Sequence, residues 1–273
     1  MKKVSILISI FVIAFIFVAC GGDDRGQETS DAPVESLLEA EQTQDTLSAF
    51  EMYLQAAKAL ETAESMRMLT ISNASIHLDG FFTEMVTRSY IDQIIHSPTE
   101  IDMRMDTTTT IDNEEILAIS YFRGNTFYIL SDTPGEGYKL SLSLEEVIQI
   151  AGTEIVAFDE SAIINQEVTT LPNGTNLAFT LNSDTMSETV EAMSEVLFVM
   201  FSGMLGDIDI EISDIDTHIV LNTHNEIESI SMTLALDVES LGLSLQSNIN
   251  TEILQIGGVS IDFPDFLEDF FDI

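Results

Sequence analysis

Cys20 is the only cysteine in the 273-residue chain, so its chemistry can be considered alone. A single thiol excludes a disulfide within the chain and a zinc site built from cysteines. The thiol follows a short apolar run, Val4 to Phe17, which is preceded by Lys2 and Lys3. This order is typical of a secretory signal, and the run is too short for a membrane-spanning helix. Because exported proteins meet an oxidising compartment, a lone thiol beside the cleavage site indicates a modified cysteine.

The stretch Phe17-Val18-Ala19-Cys20 resembles the lipobox of bacterial lipoproteins, although Phe17 stands where Leu is usual. The resemblance implies a diacylglycerol thioether on Cys20 and cleavage just before it, which makes residues 1–19 a signal peptide. Two acyl chains can hold a protein on the outer face of a cell membrane even when its net charge is strongly negative. The alternative is an ordinary secretory signal in which the cysteine is incidental.

No arrangement of residues predicts catalysis or a resident cofactor. The four histidines, His77, His96, His218 and His224, form no His-Glu-x-x-His pattern, and no nucleophile elbow, phosphate loop or dinucleotide fingerprint is present. The alternating acids of residues 207–216 could attract calcium. However, the EF-hand spacing is missing, and alternate residues of a strand usually line a solvated face. We therefore expect a protein that is not an enzyme and that holds no metal.

The charge balance limits the possible partners. Asp and Glu number 47 against nine Lys and Arg, which gives a formal net charge of −38. Nucleic-acid binding is excluded because phosphate contacts need clustered cations, and a basic membrane-binding patch is excluded for the same reason. Residues 140–273 contain 25 acids and no Lys or Arg. This favours adaptation to saline or alkaline surroundings over a surface for a basic partner or for cations.

A long apolar helix in the second half is the main candidate for a ligand site. Residues 196–201 are apolar on every side, so this helix must be covered all round. Methionine adapts to irregular apolar partners, which include lipid tails. The candidate cavity residues are Met186, Val190, Met193, Leu197, Met200 and Met204. The alternative is a helix that packs against a sheet, with methionine as filler.

The composition of the chain after the signal peptide indicates a tether followed by a folded domain. Residues 20–45 are polar and acidic and indicate a flexible tether, which leaves residues 46–273 as a single domain. An opening helix from about Asp45 to Ser65 is predicted by apolar residues three and four positions apart. This predicted face consists of Leu47, Phe50, Leu54, Ala57 and Leu60.

Alternating hydropathy then predicts strands. Ile101, Met103 and Met105 alternate with polar residues, which indicates a strand buried on one face. A change of parity near residues 213–214 predicts a bulge before the closing strands. The predicted hairpin turns are Asp112-Asn113, Phe122-Arg123-Gly124-Asn125 and Leu171-Pro172-Asn173-Gly174. Since helices and strands do not alternate regularly, a doubly wound fold is disfavoured, and we expect an α+β fold whose antiparallel sheet is solvated on one face and covered on the other.

The order of these elements resembles that of small cell-surface lipoproteins of Gram-positive bacteria. Their domain is similar to the half-barrel of the lipoprotein-carrier and mycobacterial lipid-carrier lipoproteins. This resemblance implies a curved antiparallel sheet (half-barrel) wrapped around or covered by helices. The likeness spans about residues 46–270 and includes no invariant motif. The stretches that carry it are Tyr121 to Tyr128, Gly137 to Leu140, Ser143 to Ile148, Thr217 to Thr233 and Asp262-Phe263-Pro264-Asp265.

The resemblance implies a monomer anchored through Cys20 that binds or carries a lipid or other apolar ligand between the sheet and the helices. The alternative is a non-catalytic structural or interaction protein of the envelope, with a filled core and no ligand. An open apolar cavity would favour the first function, and a close-packed interior would favour the second.

Overall fold

The computed structural model describes residues 47–78, 81–97, 100–130, 137–142, 158, 160–183, 211–238 and 242–272. Within these ranges the chain forms one α-helix, α1 (Ala49–Glu61), and thirteen strands. The strands are β1 (Ser65–Leu78), β2 (Phe81–Ser97), β3 (Glu100–Ile111), β4 (Glu114–Arg123), β5 (Thr126–Leu130), β6 (Gly137–Ser141), β7 (Ile163–Leu171), β8 (Gly174–Leu181), β9 (Glu211–Ile212), β10 (Ile215–Asn222), β11 (Ile227–Val238), β12 (Leu243–Ile256) and β13 (Phe271–Asp272).

All thirteen strands belong to one curved sheet with the order β13-β6-β5-β4-β3-β2-β1-β12-β11-β10-β8-β7, and β9 pairs with β11. Every pairing is antiparallel except that of β13 with β6. The predicted α+β class is wrong, because the described part of the chain is nearly all sheet and its single helix does not wrap it. The prediction missed the two long strands over residues 65–97. Their buried face is rich in Ser and Thr, so hydropathy does not alternate there.

Helix α1 starts at a capping box. Ser48 Oγ accepts a hydrogen bond from the Glu51 amide, and the Glu51 carboxylate accepts one from the Ser48 amide. Two of the helix's unpaired amide groups are satisfied in this way. The helix therefore begins a few residues later than the Asp45 that was predicted.

The predicted apolar face of this helix is partly wrong. Leu47 and Leu54 are exposed, whereas the buried face consists of Ala49, Tyr53, Ala56 and Leu60. The two alanines let the helix approach the sheet closely, and the Tyr53 ring stacks on Phe158 with centroids 4.9 Å apart. Packing against an aromatic partner thus decided which side of the helix is buried.

The turn predictions are confirmed. Asp112 and Asn113 connect β3 to β4 with φ of 51° and 67°, and Gly124 and Asn125 connect β4 to β5 with φ of 57° and 60°. Two successive positive φ values match the twist of a two-residue hairpin, which is why Asn, Asp and Gly mark it. The predicted 171–174 turn joins β7 to β8. The bulge near residues 213–214 is also found. Ile212 faces Leu236 and Asp216 faces Thr233, so this segment contains one residue more than the part of β11 opposite it.

Most of the buried residues lie on one face of the sheet, which we call the inner face. They form two large clusters there. One cluster joins α1 and Phe158 to β8, β10, β11 and β12, and it consists mainly of Leu, Ile and aromatic side chains. The other lies on β1 to β5 and is rich in methionine. A third, smaller cluster lies on the outer face, where the C-terminal segment (residues 259–272) packs against β4 and β5.

Candidate ligand-binding face

The inner face of the four central strands carries no charge. By the pairing register, the inner positions of β12, β1, β2 and β3 hold only apolar, hydroxyl and amide side chains. The charged residues of the same strands, such as Arg67, Asp92 and Arg104, lie at the alternate positions on the outer face. Although the chain contains 47 acids, none of them occupies an inner position of these four strands. An uncharged face of this kind can contact apolar or neutral polar groups.

A continuous belt of small hydroxyl side chains crosses the middle of this face. None of its members is more than 9% exposed. Cross-strand hydrogen bonds connect them: Ser89 to Thr107 at 3.0 Å, Thr87 to Thr109 at 3.3 Å and Ser72 to Ser247 at 3.4 Å between oxygens. Thr70 bonds to the half-buried Thr251, just outside the belt, at 3.0 Å. The hydroxyl belt consists of Thr70, Ser72, Thr87, Ser89, Thr107, Thr109 and Ser247.

Methionines lie beside the belt at the end of the sheet where β4 joins β5. Met68 faces Ile91, which in turn faces Met105, in one row across β1, β2 and β3. Met103 and Phe122 form part of the next row. Methionine side chains are unbranched and polarisable, so they can adapt to irregular apolar partners. The α1 half of the sheet differs, because there large aliphatic and aromatic side chains fill the interior.

The outer face of the same strands carries ion pairs. Arg67 binds both oxygens of Asp92, and Arg104 does the same with Asp106. These contacts raise the pKa of both arginines above the ordinary value. The four charges lie opposite or next to one another on β1, β2 and β3, so they neutralise each other on the sheet surface.

Asp102 is the one buried carboxylate among the described residues. Burial by itself would raise its pKa, but hydrogen bonds from Arg123 and His96 outweigh this effect and hold the pKa below the ordinary value. Arg123 also lies over the Phe263 ring, 3.5 Å from its centroid. The Arg123 guanidinium thus connects the sheet to the C-terminal segment.

The C-terminal segment covers the outer face of β4 to β6. Burial raises the pKa of Tyr121 and of Tyr128, whose rings contact Phe263 and Phe270 respectively. Lys139 donates a hydrogen bond to the Glu268 carbonyl at 3.1 Å. This segment therefore stabilises the sheet and leaves the inner face untouched.

The site residues predicted from the sequence do not lie in the described part of the chain. This holds for Cys20 and for all six candidate cavity residues of the predicted 186–204 helix, so those predictions remain predictions. Within the described ranges, no helix combines the length and apolar character needed to cross a bilayer. The same ranges contain no group of three His, Cys, Asp or Glu side chains able to hold a metal ion.

Sequence reasoning missed the hydroxyl belt. A signal for it exists in the run Thr107 to Thr110, where four identical residues alternate between the two faces of β3. Thr107 and Thr109 are buried, whereas Thr108 and Thr110 are half-buried. The sequence cannot tell which pair faces inward without the register of the neighbouring strands.

The chain matches no family model and no curated protein. Three solved structures show slight similarity. LprF from Mycobacterium bovis is 9% identical, covers 80% of this chain and 97% of its own, and has a TM-score of 0.43. The ywiB protein from Bacillus subtilis is 7% identical, with coverage of 72% and 99% and a TM-score of 0.22. A DUF1329 family protein from Desulfovibrio piger is 8% identical, with coverage of 78% and 93% and a TM-score of 0.28.

At these TM-scores the three structures indicate neither a family nor a ligand for this chain.

Proposed function

We propose that this protein is a membrane-anchored extracytoplasmic lipoprotein, not an enzyme, that binds or carries a lipid or other apolar ligand on the inner face of its sheet. The observation that supports the proposal is the side-chain chemistry of that face. It is uncharged and combines methionines with small hydroxyl residues, whereas the α1 half is filled with Leu, Ile and Phe. A core that needs only to be filled has no reason to differ in this way between its two halves.

A filled core without a ligand is the alternative, and one observation favours it. The belt residues are nearly inaccessible to solvent, and their hydroxyls satisfy one another across the strands. Buried polar groups that are fully paired are compatible with a closed interior.

The β3 threonines supply a matched pair of variants that separates these two functions. Thr107→Phe adds a large ring on the inner face, and Thr108→Phe adds the same ring on the outer face one residue away. Lipids that co-purify with the untagged mature protein are identified by mass spectrometry for the wild type and both variants. We expect bound lipid in the wild type and in Thr108→Phe, and a strong reduction in Thr107→Phe.

Other outcomes favour the alternative. If the wild type carries no lipid, and Thr107→Phe only lowers the free energy of unfolding by about 1–3 kcal/mol through overpacking, the interior is a filled core. Equal lipid loss in both variants would mean that the ligand does not occupy the inner face.

Anchoring is tested separately at Cys20. The sequence offers no other residue for lipid attachment, and the net charge of −38 opposes adsorption to an anionic bilayer. Cys20→Ser is expected to release the protein into the medium or to leave it as uncleaved precursor. A variant that is cleaved and still membrane-bound would contradict the lipoprotein assignment.

A further inference from the structure

An uncharged polar surface lies on the outer face of β11, β12 and β1. Its rows follow the pairing register: Asn73 of β1 faces Asn248 of β12, and Ser75 faces Gln246 in the next row. Thr233 of β11 extends the first of these rows. We call this surface the amide field, and it consists of Asn73, Ser75, Ser231, Thr233, Ser244, Gln246, Asn248 and Asn250.

The amide field carries no charge, although the chain as a whole has a formal net charge of −38. Acids occupy the edges of the field, with Glu252 beyond Asn250 on β12 and Asp237 at the end of β11. Beside the field, Glu84 and Arg88 lie on β2, and Asp216 of β10 faces Thr233. Between these edges, three adjacent strands carry no Asp, Glu, Lys or Arg on the outer face. Neighbouring strands lie about 4.8 Å apart and alternate residues about 6.7 Å apart, so the field covers roughly 15 × 20 Å.

The amides of the field are available for binding. Asn73, Gln246 and Asn248 are exposed. Asn248 Nδ2 donates to Thr233 Oγ1 at 2.9 Å, and this bond orients the amide on the sheet. Within the described part of the chain, no hydrogen bond involves the side chains of Asn73 or Gln246. Each free amide offers both donors and an acceptor, which suits a partner rich in hydroxyl groups.

The neighbouring strand β2 borders the field with two exposed rings and one aliphatic side chain, which alternate with two charged residues. Phe82, Val86 and Tyr90 point outward four residues apart, and each is more than 40% exposed. The charged Glu84 and Arg88 occupy the outer positions between them. Val86 faces Asn73 directly. Phe82 lies against His77 of β1, with ring centroids 4.6 Å apart. Aromatic rings present flat apolar surfaces that complement the C–H faces of sugar rings, while the amides can bind sugar hydroxyls.

From this combination we infer that the amide field, together with the exposed Phe82 ring beside it, binds a neutral polysaccharide. Charge complementarity decides between partners, because a polymer with anionic groups would be repelled by a chain of net charge −38. A cationic partner would be drawn to the acidic surfaces outside the field. A neutral, hydroxyl-rich chain is the partner that an uncharged amide surface matches.

The experiment measures retention of the full-length protein, in a polyoxyethylene detergent, on immobilised neutral polysaccharides. The fixed panel contains starch, a β-glucan and a mannan, with polygalacturonate as the anionic comparison. We expect retention on at least one neutral polymer and none on polygalacturonate. The double variant Asn73→Ala/Gln246→Ala should bind about tenfold more weakly, since each lost neutral hydrogen bond weakens binding roughly two- to tenfold.

Asn165→Ala is the matched control, because Asn165 is an exposed strand amide on β7, far from the field in strand order. It should bind as the wild type does, and thermal melting should show that all the variants are folded. The inference is overturned if no neutral polymer retains the protein, if only polygalacturonate does, or if the double variant binds unchanged. It is also overturned if the double variant only changes the oligomeric state in light scattering, which would make the field a contact between copies.

Discussion

Two leucines on helix α1 test how the helix packs on the sheet. Leu60 is 1% exposed and belongs to the α1 cluster, whereas Leu54 is 49% exposed. The sequence pattern predicts that both are buried, and only the structure separates them. Substitution of each by alanine removes the same atoms from the same helix, so differences in helix propensity cancel.

The expected magnitudes differ by several-fold. Leu60→Ala leaves a cavity among close-packed neighbours, and such changes typically lower the free energy of unfolding by about 2–5 kcal/mol. Leu54→Ala removes a solvent-exposed side chain, so we expect a change within about 0.5 kcal/mol. For a domain of this size each kcal/mol moves Tm by roughly 2–4 °C, so Leu60→Ala should lower Tm by about 5–15 °C.

Urea unfolding followed by circular dichroism is the appropriate assay, with thermal melting as a second measurement. Equal losses in the two variants would mean that both faces of the helix are buried. A larger loss for Leu54→Ala would place the helix the other way round, with the Leu47 and Leu54 face against the sheet. Either result would refute the assignment of the Ala49, Tyr53, Ala56 and Leu60 face to the core.

Three further predictions concern the outer face and the charge. Gly137→Ala should detach the C-terminal segment and expose Tyr128 to solvent quenching, because a Cβ there would collide with the Phe270 ring and the Ile129 carbonyl; unchanged quenching would contradict this packing. Asp102 has a lowered pKa in the folded state, so its stabilisation is complete above the unfolded pKa of about 3.9 and is lost as the pH falls through the folded value. Asp102→Asn should therefore destabilise at pH 7 and flatten the acid limb of the Tm–pH curve, and Asp112→Asn, at an exposed turn, should do neither. Finally, Tm should rise by many degrees between roughly 0.01 M and 1 M sodium chloride, because the screening length falls from about 30 Å to about 3 Å; a flat curve would mean that carboxylate repulsion does not limit stability.

The turns and the regular strands could be predicted from local sequence. Asn, Asp and Gly at positions 112–113 and 124–125 tolerate positive φ, so these residues mark their hairpins without any tertiary information. The alternation of Ile101, Met103 and Met105 with polar residues likewise predicted a strand buried on one side, and all three are buried. Such features depend on backbone conformation and period, which a short stretch of chain determines by itself.

The inner face and the amide field could not be predicted, because both depend on the register between distant strands. The hydroxyls of Thr70 and Thr251 meet across β1 and β12, although 181 residues separate them in sequence. From a single strand, serine and threonine are expected to face solvent. Only the pairing of β1 with β12 and β2 shows that they share the inner face. The burial of Tyr53 instead of Leu54 has a similar cause, since it required an aromatic partner, Phe158, about one hundred residues away.

Composition and the N-terminal pattern thus determined the charge and the expected compartment from the sequence alone. Which side chains share a face was decided by the tertiary structure, because that depends on contacts between segments that are far apart in the chain.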